Sequence, residues 1–112
     1  MGDAFERGIE LFNTGHYFEA HEEFEDVWRK AEGELRLLCQ GLVQVCAGLV
    51  KHQRDLPEPA CTLLAKGLSR LEATPLSCRP DVNIGRLIGD LKDVVRALRM
   101  RVSFEPPVIR RL

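Results

Sequence analysis

The chain has 112 residues, 45% of them hydrophobic and 29% charged, with a formal net charge of -1 and a pI of about 6.3. That length suits one domain with a real core, which needs neither a disulfide nor a structural metal to fold. The near-neutral charge gives no general pull toward nucleic acid or an anionic membrane. No uninterrupted apolar run approaches the ~20 residues of a membrane span.

Nearly every segment has helical periodicity, and strand alternation is missing. The N-terminus enters a charged amphipathic stretch at once, so no secretory leader is expected and the expected location is cytoplasmic. Helix one is predicted from near Asp3 to Phe12, with Phe5, Ile9 and Phe12 on its apolar face and Gly8 alongside. Asn13 and Gly15 then suit the left-handed conformation of a helix end. Helix two runs from His16 or Tyr17 to Ala31 and stops at Gly33. Helix three runs from about Glu34 to His52, with Leu35, Leu38, Leu42, Val45 and Leu49 as its seam. Gly41 and Gly48, one heptad apart, would let another helix approach closely. Pro57 and Pro59 suit the first turn of helix four, which buries Ala60, Leu63, Leu64, Gly67, Leu68 and Leu71 and ends near Ala73. Asp81 is the expected N-cap of helix five, whose face is Ile84, Leu87, Ile88, Leu91, Val95 and Leu98, extending toward Val102. Pro106 and Pro107 forbid helix in the tail, which should be extended.

The expected fold is therefore all-α: a compact bundle of about five antiparallel amphipathic helices over residues 1–102, with an extended tail at 103–112. Its first two helices, with Phe5, Gly8, Phe12, Tyr17 and Ala20, are similar to a tetratricopeptide helical hairpin. One pair and a fragment fall short of the three repeats a solenoid needs. Helices three and five both carry heptad-like seams, which a homodimer could use as well as the bundle interior. Cys39, Cys46, Cys61 and Cys78 form no CxxC pair. Cys39 and Cys46 lie about 10 Å apart along one helix, too far for a disulfide. All four cysteines read as small buried hydrophobes of a reduced protein.

The unusual stretch is YFEAHEEFEDVW, Tyr17 to Trp28. On a helical wheel Trp28 and Glu25 lie about 20° and 40° to either side of His21, with Tyr17, Phe18 and Phe24 within about 60°. This puts His21 near the centre of the expected apolar face, with Glu22 at its edge. A buried carboxylate must be paired, protonated or bound to a cation. Residues i and i+4 on one helix suit a divalent metal, as in HExxH helices. Here a glutamate stands where the second histidine would be. Gln40, Gln44 and His52 on helix three are the groups that could complete a site across a groove opened by Gly41 and Gly48. Polar side chains inside so apolar a helix are expected to find partners.

The runs FERGIELFNTGHYFEAHEEFEDVWR, LLCQGLVQVCAGLVKHQR and PACTLLAKGLSRLE resemble domain-of-unknown-function family 309, small all-helical proteins labelled predicted metal-dependent hydrolases. The resemblance covers about residues 5–72. It implies a bundle in which His21, Glu22, Glu25, Trp28, Gln40, Gln44 and His52 cluster. The sequence departs from the family after His52, where RDLPEP replaces the usual Gly-Asn-type turn.

Two functions compete. In a metal-dependent hydrolase, His21, Glu25 and His52 would hold one divalent ion, and Glu22 would be the general base on its bound water. Tyr17 and Trp28 would wall the pocket with Gln40 and Gln44. In a non-catalytic module, favoured slightly here, the same cluster is a polar network beside a groove for a protein or small-molecule partner. Arg96, Arg99, Arg101, Arg110 and Arg111 gather near the C-terminus but read as a solvated helix end rather than a nucleic-acid site.

Overall fold

Asp3 caps the first helix. In a computed structural model, which describes residues 3–112, its carboxylate accepts the Glu6 amide at 2.8 Å and caps α1 (Ala4–Asn13). The first two residues of the expected domain lie outside the described residues. α2 (Tyr17–Lys30), α3 (Gly33–Gln53), α4 (Pro57–Glu72) and α5 (Ile84–Met100) follow, with one short 3-10 turn at Leu76–Cys78. Among the described residues there is no strand, only an isolated antiparallel bridge between Val82 and Arg111. Gly15 (φ 81°) and Gly33 (φ 60°) take up the left-handed backbone that reverses the chain before α2 and α3.

The α1–α2 hairpin closes on aromatic rings. Phe5 meets Phe24 edge-on with centroids 5.5 Å apart, and Phe12 meets Tyr17 at 5.3 Å. Phe24 also fills the space beside Gly8, where a Cβ would stand 2.6 Å from the ring.

The closest approach of two helices is between α3 and α4. A Cβ on Gly48 would lie 2.7 Å from Leu64 Cγ, and one on Gly67 would lie 2.8 Å from the Gly41 carbonyl oxygen. The two glycines of α3 therefore admit α4. They do not open a groove toward α2, which corrects the sequence expectation. The reason is that Gly67, within α4, supplies the matching gap, a pairing that one helix's periodicity does not reveal.

α5 covers the far side, burying Ile84, Leu87, Leu91, Val94 and Val95. Ile88 and Leu98 are only half-buried, and Val102 is exposed beyond the helix end. Its N-cap is Asn83, whose Oδ1 accepts the Arg86 amide at 3.0 Å. Asp81, the expected cap, instead pairs with Arg79 at 2.8 Å.

The tail is extended and packs on the bundle. Pro107 and Ile109 are buried. Asn13 grips the Ile109 backbone through both atoms of its amide, accepting the Ile109 N–H at 2.7 Å and donating to its carbonyl at 2.9 Å.

α3 spans 21 residues with a mean hydropathy of 1.2 over its best 18-residue window, long and apolar enough to cross a membrane by length and composition. Gln40 and Gln44 interrupt its apolar runs without making it too polar for that. Here it packs between α2 and α4, with half of that window buried in the fold.

Candidate functional site

α2 and α3 are joined by a two-residue link and run antiparallel. Arg36 lies over the Trp28 ring at 4.1 Å at one end of the pair. At the other end Gln53 Nε2 donates to the Gly15 carbonyl at 3.0 Å. This direction decides which of the expected site residues meet.

Glu25, Trp28, Gln40, Val43 and Gln44 line one hollow of about 210 Å³ between the two helices. Glu25 accepts from Arg29 at 2.6 Å, the i,i+4 pair that a glutamate followed by a basic residue favours. Its other oxygen lies 3.8 Å from His21 Nε2, a contact too long for a hydrogen bond. Gln44 accepts from Arg70 of α4 at 2.9 Å, which supplies the partner expected for an amide inside an apolar helix. Arg36 donates to the Trp28 carbonyl at 3.2 Å while its guanidinium covers the indole face. Two buried ring nitrogens, His21 Nδ1 and Trp28 Nε1, have no hydrogen-bond partner among the described residues.

His21 is not at the centre of the buried face. Its side chain is 26% exposed and stacks on the exposed Phe18 with centroids 6.4 Å apart. The core side of α2 is set by Tyr17, Ala20 and Phe24, which face α1 and α3 together. That centre lies roughly 70° around the helix from His21, leaving the histidine on the rim.

His52 and Tyr17 stand elsewhere. Both line a second hollow of about 410 Å³, beside Asn13, Gln53 and Phe104. The His52 ring packs on Phe104 at 4.7 Å. Tyr17 is buried, and burial pushes its phenol above the ordinary value. Glu22 is exposed and lines neither hollow.

The donors do not fit the metal that the resemblance implies. Among the described residues no group of three or more His, Cys, Asp or Glu side chains gathers closely enough to hold an ion. His21 and Glu25 make two donors at most, and a guanidinium already holds one Glu25 oxygen. His52 does not join them. The expected ligand trio is therefore not assembled in this structure. The four cysteines, none in a disulfide, join no such group among the described residues. Burial raises the Cys39 thiol to about 12 and that of Cys46 further still.

The parts missed in the sequence are three arginines. Arg29 was readable from its spacing to Glu25. Arg36 and Arg70 reach the site from beyond a turn and from another helix, which no spacing rule on α2 or α3 exposes.

Fold and hollow together define a small all-α protein with a mainly apolar hollow between two antiparallel helices. The chain belongs to the family described as Domain of unknown function (DUF309), which matches residues 5–63. Among solved structures it is similar to a conserved hypothetical protein of Thermus thermophilus, TTHA0068. The TM-score is 0.60 and the identity 32%, over 90% of this chain and 97% of that one. No curated protein matches it.

Proposed function

We propose that this protein is a non-catalytic helical module whose α2–α3 hollow recognises a partner carrying hydrogen-bonding groups. One observation carries the reading: the indole nitrogen of Trp28, a residue that lines the hollow with Glu25 and Gln40, is buried with no internal partner. Leaving such a group unsatisfied costs about 1–3 kcal/mol. A ligand that supplied an acceptor to the indole N–H would recover that loss on binding. The hollow is small, so it suits one side chain or one end of a ligand rather than a whole substrate.

The tetratricopeptide-like character of the α1–α2 hairpin belongs to the same reading, because such helix pairs serve as recognition surfaces. Hydrolysis has less support. Of its expected ligands Glu25 lines one hollow and His52 the other, while His21 and the candidate base Glu22 line neither.

The test is a photo-crosslinking side chain placed at Gln40, with a control at exposed Arg99 on α5. A specific product at Gln40, identified by mass spectrometry and weakened by Trp28→Phe, is expected. No product at Gln40, or one indifferent to Trp28→Phe, would overturn the proposal.

A further inference from the structure

The second hollow lies at the far end of α2 from Trp28, where three helix ends meet. α1 stops at Asn13, α2 starts at Tyr17 and α3 stops at Gln53. The tail closes the remaining side. Asn13 holds it by the Ile109 backbone, and Phe104 and Pro106 of the same extended segment line the hollow. The space is about 410 Å³ and mainly apolar, with Leu49 in its wall.

Tyr17 does more in this hollow than packing requires. Only 6% of the residue is exposed, and its ring meets Phe12 edge-on. Phenylalanine would serve that contact as well. A tyrosine buried this far ordinarily finds a partner for its O–H. Here the hydroxyl enters no hydrogen bond among the described residues. Its oxygen is not sealed in the core as the Trp28 indole nitrogen is, so it opens on the hollow that the residue lines. Burial keeps the phenol protonated, which makes it a donor.

Gln53 supplies the complementary group. Its Nε2 is committed to the Gly15 carbonyl at 3.0 Å, and its Oε1 accepts nothing among the described residues. His52, packed on Phe104 with centroids 4.7 Å apart, adds a flat wall. Among the described residues no Asp, Glu, Lys or Arg lines the hollow. A permanent anion or cation would therefore leave water for a site with no fixed countercharge. A neutral group that accepts and donates at once meets no such penalty. A primary carboxamide does both in one plane, through its carbonyl and its N–H. The rings of Tyr17, His52 and Phe104 suit a flat apolar body beside it. We propose that this hollow binds a small neutral carboxamide carried on a flat apolar ring, the Tyr17 hydroxyl donating to its carbonyl and Gln53 Oε1 accepting from its N–H. The site shares no lining residue with the α2–α3 hollow and stands or falls apart from it.

Benzamide, benzoate and benzylamine share a ring and differ in charge, so they are the probes. Each is titrated into the full chain and followed by NMR at the Leu49 methyls, the Phe104 ring and the Trp28 indole. Benzamide should move the Leu49 and Phe104 signals in the millimolar range, as its few atoms allow, and leave the Trp28 indole in place. The two charged probes should bind about fivefold more weakly or worse. Tyr17→Phe keeps the ring on Phe12 and removes only the hydroxyl; with its fold checked by circular dichroism, it should weaken benzamide about fivefold. Should that variant not fold, the ranking of the three probes on the wild type still decides. Benzamide that leaves Leu49 and Phe104 unmoved overturns the proposal. So does a charged probe that binds as tightly, or a folded Tyr17→Phe protein that binds benzamide like the wild type.

Discussion

Replacing Gly67 by alanine should destabilise the protein, although alanine is the better helix former. In a helix interior the exchange favours the folded state by about 1 kcal/mol. At this position the new methyl would stand 2.7 Å from Val45 Cγ2, 2.8 Å from the Gly41 oxygen and 2.9 Å from the Val45 nitrogen. Two of these neighbours are backbone atoms and cannot rotate away. α3 and α4 must part along a seam that also holds Gly48 against Leu64. Overpacking of this kind costs about 1–3 kcal/mol, and more where backbone must move. Taking the upper part of that range and subtracting the propensity gain leaves a net loss of about 1–2 kcal/mol. At about 4–8 °C per kcal/mol for a domain near this size, Tm should fall by roughly 5–15 °C. Gly89→Ala is the control. It lies on the exposed side of α5 with nothing within 4 Å of the added atom, so propensity acts alone and Tm should rise by a few degrees. Urea and thermal denaturation followed by circular dichroism measure both. A Gly67→Ala protein at or above wild-type stability would refute the packing argument, as would shifts of the same sign at the two sites.

Asn13→Ala removes both hydrogen bonds to Ile109 and should cost about 1–3 kcal/mol, read as a lower urea midpoint, with earlier amide exchange along residues 104–112. With iodoacetamide at neutral pH, half-buried Cys61 and Cys78 should label before buried Cys39 and Cys46, whose thiols burial holds protonated; peptide mass mapping gives the order. The hydrogen bond from Arg79 holds the Asp81 carboxyl below its ordinary value. Its folded pKa is therefore below the unfolded one, so its contribution is complete above the unfolded value and is lost as pH falls through the folded value. Because Asp81 is well exposed, that contribution should stay under about 1 kcal/mol. The Tm gap between wild type and Asp81→Asn should accordingly be small at neutral pH and close below about pH 4.

The fold was legible because each helix carries its own punctuation. Asp3, Gly15, Gly33 and Pro57 stand at or beside the ends that periodicity assigns, and five helices follow from that alone. Asp81 failed as a cap because an aspartate in a loop can equally serve an arginine two residues away, and Asn83 one step later supplies the same chemistry. The site was legible only in part. Trp28, Gln40 and Gln44 do meet, as antiparallel helices joined by a short link require. The same direction separates them from His52, which lies eight residues past Gln44 and about 12 Å further along the axis. Tyr17, at the other end of α2, goes with it. Antiparallel geometry applied to the sequence would have divided the proposed ligand set. The wheel misplaced His21 because hydrophobic residues on one helix do not say where two neighbours will press on it. Gly41 and Gly48 revealed a close approach but not its partner, because that depends on Gly67.

The measurement that bears most directly on the recognition surface is the indole N–H resonance of Trp28, the single tryptophan of the chain. It can be followed in two-dimensional NMR on adding whatever Gln40 captures. Complex formation should move this resonance downfield, as the buried N–H gains an acceptor, while the Ile109 amide held by Asn13 stays in place. Binding that leaves the Trp28 indole unmoved, or that shifts the Ile109 amide instead, would contradict it.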